Sequence, residues 1–172
     1  WSEETDLNAN KCGAIDFGTQ TAALIQGGIH PATGATETWD GSSWTEVADK
    51  NTTVLQSTGT GTQTAGLAAG GQTAPNPLTA NVETWDGSSW TEVGDLNTAR
   101  SAVAGSGTNT LALVFAAPGS NGLTELYNGT NWTELNDLNT GRNIVAGAGT
   151  STSAICMSGY VNPNAVANKA SA

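Results

Sequence analysis

Charge is scarce in this chain, and positive charge scarcer still. Of 172 residues 12% are charged, and five Lys and Arg face fifteen Asp and Glu, for a formal net charge of -10. Proteins that grip a nucleic-acid backbone do so by neutralising phosphates with basic side chains. Nucleic acid is therefore excluded as a partner, and anionic lipid surfaces by the same argument. His30 is the single histidine and follows the Gly27-Gly28 pair, a loop setting that leaves no base for a Ser-His-Asp set. Cys12 and Cys156 are the only cysteines. They allow one disulfide at most and are expected as small buried thiols. No run of 18 apolar residues exists to cross a membrane as a helix. The chain opens without a basic segment leading into an apolar one, so no signal peptide is visible. Its first residue is Trp rather than Met, which favours processing or trimming. No stretch sustains helical apolar spacing beside capping residues, so essentially no helix is expected.

What the chain does have is a repeat. Trp1, Trp44, Trp90 and Trp132 stand 43, 46 and 42 residues apart, and each is followed at five residues by Asp and at seven by Asn (Asp6, Asp49, Asp95, Asp137; Asn8, Asn51, Asn97, Asn139). Thr recurs 18 and 20 residues after each Trp, from Thr19 and Thr21 to Thr150 and Thr152. A unit near 44 residues that cannot bury its own apolar face must stack on its neighbours. Residues 1–172 therefore read as a single domain of four repeats.

Within a unit the pattern is short strands between turn residues. Runs at 101–105, 111–115, 123–127 and 132–135 are bounded by Gly, Asn, Asp or Ser, so each repeat is expected to hold four strands. The third and fourth are joined by Asp40-Gly41-Ser42-Ser43, Asp86-Gly87-Ser88-Ser89 and Asn128-Gly129-Thr130-Asn131. Asp-Gly and Asn-Gly supply the positive φ of tight hairpins. Trp39 with Trp44, Trp85 with Trp90, and Tyr127 with Trp132 flank these turns, where a cross-strand aromatic pair contributes roughly 0.2–1 kcal/mol and fixes register. Packing within a sheet is the expected role of most of the tryptophans, and a sugar-stacking platform is the alternative.

These residues resemble the kelch repeat, a four-stranded propeller blade. Gly27-Gly28 and Gly70-Gly71 match its glycine pair, with Ala116-Ala117 and Ser158-Gly159 as degenerate versions. Trp39, Trp85 and Tyr127 match its third-strand aromatic, Trp44, Trp90 and Trp132 its fourth-strand Trp, and Arg100 and Arg142 its Arg. The dialect is similar to kelch-like repeats of marine bacteriophage and environmental sequences. The resemblance implies an all-β propeller of about four blades, each of four antiparallel strands. The strand at Trp1 is expected to close a last blade built from 144–149, 153–158 and a weak third strand near 164–170. A fragment of a larger propeller, or a ring shared between chains, is the alternative. The copper oxidases built on kelch blades need two histidines and a cysteine-linked tyrosine, which this chain does not supply. Sialidase propellers carry a hairpin similar to Thr38-Trp39-Asp40-Gly41-Ser42-Ser43-Trp44, but clamp a carboxylate with three arginines where this chain has two.

Glu37 with Glu46, Glu83 with Glu92, and Glu125 with Glu134 place carboxylates across from one another, as a glycosidase requires. An active site is normally unique, whereas these pairs recur in every copy, so they are expected as solvated strand faces. The Asp-x-Asn segments at Asp95-Leu96-Asn97 and Asp137-Leu138-Asn139 are expected as Asx turns, with calcium ligation as the alternative. The expected function is a non-enzymatic structural or interaction module without cofactor or metal. The resemblance places it on a virion surface or tail appendage, or otherwise outside the cell, with protein partners in an assembly. A lectin that binds surface glycans is the alternative, with Trp39, Asp40, Trp85, Asp86, Tyr127 and Asn128 as candidate contacts. Trp1, Trp44, Trp90, Trp132 and the two glycine pairs are expected to be structural.

Overall fold

A computed structural model describes residues 5–28, 32–73, 77–116, 122–157 and 159–161, and all regular structure among them is β-strand. The first sheet is β1 (Ile15–Thr19), β2 (Ala22–Gln26), β3 (Thr36–Trp39) and β4 (Trp44–Val47). The second is β5 (Thr58–Thr62), β6 (Ala65–Ala69), β7 (Val82–Trp85) and β8 (Trp90–Glu92). The third is β9 (Ala104–Gly107), β10 (Ala112–Phe115), β11 (Thr124–Tyr127) and β12 (Trp132–Glu134). β13 (Ala146–Gly149) and β14 (Ala154–Met157) form the fourth. Every sheet is antiparallel and ordered as in sequence. The fold is thus all-β, with the four-strand unit complete in three repeats. The outer strand expected at Trp1 and the third strand expected at 164–170 lie outside the described residues.

Among the described residues no sheet closes on itself. Instead β1 packs on β5, β5 on β9, and β9 on β13. Residues 14–16, 57–59, 103–105 and 145–147, in or beside these four first strands, line one cavity of about 350 Å3. Small side chains permit that approach: β5 reads Thr-Gly-Thr-Gly-Thr, β9 Ala-Gly-Ser-Gly and β13 Ala-Gly-Ala-Gly. Polar bonds continue the row, since Thr60 Oγ1 donates to Gly107 O at 2.8 Å and Ser106 Oγ to Thr150 O at 3.3 Å.

The apolar core lies between sheets rather than inside one. Ile15, Phe17 and Leu24 meet Ala68, Trp85 and Trp90 between the first and second sheets. Leu67, Val82 and Leu96 meet Val114, Tyr127 and Trp132 between the second and third. Phe17 fits because Gly66 faces it: a Cβ there would stand 2.3 Å from two ring atoms. The glycine pairs leave their second strands at positive φ, 80° and 143° for Gly27 and Gly28, 67° and 113° for Gly70 and Gly71. That geometry lets the Gly71 N–H reach Arg100 O of the next repeat at 2.7 Å.

Candidate functional site

The hairpins joining third and fourth strands carry the candidate contacts. Trp39 pairs with Trp44, Trp85 with Trp90, and Tyr127 with Trp132 across the strands, in the register expected. Ring centroids are 5.3, 5.4 and 5.0 Å apart and the planes are tilted. Trp39, Trp85 and Tyr127 are buried, and the two indoles donate inward to Gln20 O and Gln63 O. Burial also raises the Tyr127 hydroxyl above its ordinary pKa. Asp40, Asp86 and Asn128 are exposed at the tips.

Those tips hold themselves together. Asp40 Oδ1 accepts from the Ser42 amide, the Ser42 hydroxyl and the Ser43 amide, each at 2.8 Å. Asp86 repeats the arrangement with Ser88 and Ser89. The Ser42 and Ser88 hydroxyls, followed by the amide donors, hold each carboxyl down to about 2. Asn128 Oδ1 accepts from the Thr130 and Asn131 amides.

The most connected polar groups lie elsewhere. Glu37, Glu83 and Glu125, expected on solvated faces, are at most 1% exposed, while their cross-strand partners Glu46, Glu92 and Glu134 are exposed. The loop entering each sheet supplies the reason. The Asn8, Asn51 and Asn97 amides donate to these glutamates at 2.8, 2.9 and 2.8 Å. The same asparagines donate from Nδ2 to the glutamate and to the carbonyl of Trp44, Trp90 or Trp132. The Asp95-Leu96-Asn97 segment is therefore a clamp on the sheet rather than a local Asx turn.

A cation completes each clamp. Lys11 lies 3.5 Å from Glu37, Lys50 lies 2.7 Å from Glu83, and Arg100 bonds Glu125. Lys50 also donates to Asn81 Oδ1 and Thr52 O, and Arg100 to Leu123 O. Burial works to raise the Glu83 carboxyl, but Lys50 and the Asn51 and Thr52 amides outweigh it and leave it lowered. Sequence reasoning missed these pairs. The signal was present: Lys11, Lys50, Arg100 and Arg142 are four of the five basic residues and fall in equivalent loops.

Trp90 and Trp132 are also buried, and their indoles donate to Thr36 Oγ1 of the first sheet and to Gly94 O just after the second. Trp44 is half-buried and borders a cleft of about 360 Å3 with Thr5, Gln20, Thr21 and Trp39. Trp1 and His30 lie outside the described residues. Both cysteines are free; Cys12 is exposed rather than buried, and Cys156 is half-buried in β14. Among the described residues no three His, Cys, Asp or Glu side chains group as metal ligands. Comparison of the sequence with protein-family models and with curated proteins finds no match to either.

Proposed function

We propose that the chain is a non-enzymatic structural or interaction module of the kelch-like propeller type, with its sheets as blades around the cavity between β1, β5, β9 and β13. The observation that carries this reading is the use made of Glu37, Glu83 and Glu125, each spent on anchoring the loop that enters its own sheet. Carboxylates held by a cation and backbone amides in three equivalent places serve assembly of the fold, whereas general acid-base work needs a group open to substrate. The kelch resemblance supplies the context, a virion surface or tail appendage acting in assembly or attachment.

Half-buried Trp44 beside its cleft favours one second reading, a glycan-binding propeller. Aromatic faces suit sugar rings, and shallow repeated sites gain by multivalency. A titration of Trp fluorescence against a broad glycan panel, run on the wild type and on Trp44→Ala, separates the two. The structural reading expects no saturable change. Saturable quenching lost in a folded Trp44→Ala chain would replace it with the lectin. Turnover of chromogenic glycosides by the same samples would overturn both.

A further inference from the structure

The recurring threonines take no part in the loop clamps. Each repeat turns from its first strand to its second on Thr-x-Thr: Thr19-Gln20-Thr21, Thr62-Gln63-Thr64, Thr108-Asn109-Thr110 and Thr150-Ser151-Thr152. In the second repeat the middle side chain joins two sheets, since Gln63 Nε2 crosses to the first sheet and donates to Ala23 O at 3.2 Å and to Trp39 O. In the fourth repeat the same place holds Ser151, whose side chain is too short to cross.

Between the third and fourth sheets these turns line a groove of about 300 Å3, with Gly107, Thr108 and Leu111 on one side and residues 149–152 on the other. Small-molecule sites begin near this volume. Ser106 Oγ donates to Thr150 O at 3.3 Å and ties the two sides together. The Thr108 and Thr150 hydroxyls accept from the Leu111 and Ser153 amides, each at 3.1 Å, so the turns fix their positions. Leu111 is 42% exposed and supplies an apolar contact beside them. None of the lining side chains is charged, and a charge brought out of water needs a partner, so the groove suits a neutral ligand.

We propose that this groove binds a neutral acetamido sugar. The carboxamide occupies the space between turns that the Gln63 amide occupies between the first two sheets. Its methyl packs on Leu111, and the sugar hydroxyls exchange hydrogen bonds with Thr150, Ser151 and Thr152. A plain hexose offers the hydroxyls without the amide and methyl, and an acidic sugar meets a chain of net charge -10. This deepens the interaction-module reading and rests on it.

Titration of the 15N-labelled chain with the methyl glycoside of N-acetylglucosamine tests the site. Saturable shifts of the Thr108, Leu111 and Ser151 amides are expected, and methyl glucoside should leave them in place. Ser151→Gln puts the fold's own carboxamide into the groove and should abolish binding. Leu111→Ala should weaken it at least about fivefold, since the methyl loses roughly 1 kcal/mol of apolar contact. Exchanging the ligand leaves folding untouched, so the comparison of the two glycosides stands even if a variant fails to fold. Absence of saturable shifts, equal response to methyl glucoside, or unchanged binding by folded Ser151→Gln would each overturn the site. Shifts confined to the Trp44 cleft and lost in Trp44→Ala would overturn it too, in favour of that cleft. The groove holds no tryptophan, so its failure and the outcome of the fluorescence titration are read separately.

Discussion

Lys50 and Arg100 serve equivalent carboxylates from places four residues apart in the repeat. Arg100 stands ten residues after Trp90 and reaches Glu125, with Leu96 buried six residues after the same Trp. In the preceding repeat the two exchange character: Lys50 takes the sixth place and reaches Glu83, and Val54 is buried at the tenth. Each loop thus keeps one buried cation and one buried apolar side chain, in either order.

That exchange is testable by reversing it. Lys50→Leu removes one partner of a buried pair and should cost about 3–5 kcal/mol. Adding Val54→Arg rebuilds the arrangement of the following repeat and should recover at least half of the loss. Urea unfolding of the single and double variants measures both. Loss under about 1 kcal/mol in the first, or no recovery in the second, would sink the equivalence.

The carboxylates also set an acid limit. Asp40 and Asp86 are lowered to about 2 from 3.8, and Glu83 is lowered from 4.5. A depressed carboxyl contributes stability that is fully present above its unfolded value and is lost as pH falls through the folded one. Stability should therefore hold above about pH 4.5 and decline between there and about pH 2. NMR titration should place the Asp40 midpoint near 2, and Ser42→Ala should raise it while leaving Asp86 unmoved. An Asp40 midpoint near 3.8 in the wild type would discard the hairpin tip as drawn.

The strand pattern was legible because each run is bounded by Gly, Asn or Asp and because four tryptophans fix the period. Hairpin register followed from Asp40-Gly41 and Asp86-Gly87, since their turn chemistry admits few alternatives. Burial of Glu83 was not legible. A Glu in an alternating strand looks solvent-facing, and what covers it is a loop whose path over the sheet depends on Asn51 and Lys50 more than thirty residues earlier. Strand starts were read early: β9 begins at Ala104 rather than at residue 101, because Ala102, at φ 53°, bonds sideways to Gln56 O instead of entering the ladder.

Gly27 and Gly70 occupy one place in the repeat but should respond differently to alanine. Both have positive φ, so each substitution carries a left-handed penalty of about 1–2 kcal/mol. A Cβ on Gly27 meets nothing nearer than 3.6 Å, whereas on Gly70 it would stand 2.6 Å from the Arg100 carbonyl. Backbone cannot rotate aside, so Gly70→Ala should be the more damaging by at least about 1 kcal/mol. Thermal melts of the two variants decide it, and equal shifts would mean that the second and third repeats are not locked through Gly71 and Arg100.

Phe17 and Gly66 should couple strongly, because they share the contact between the first two sheets. Gly66→Ala puts a methyl where the Phe17 ring lies and should cost about 1–3 kcal/mol by overpacking. Phe17→Leu alone loses buried ring surface and should also destabilise, by about 1–3 kcal/mol. Together they should cost less than the sum, since the smaller Leu leaves room for the new methyl, and an interaction of about 1 kcal/mol or more is expected for residues in direct contact. Simple additivity in denaturant unfolding would mean that Phe17 does not stand over Gly66 in solution. The two sheets would then have to be held by Gln63, whose Nε2 donates to Ala23 O and Trp39 O, rather than by packing.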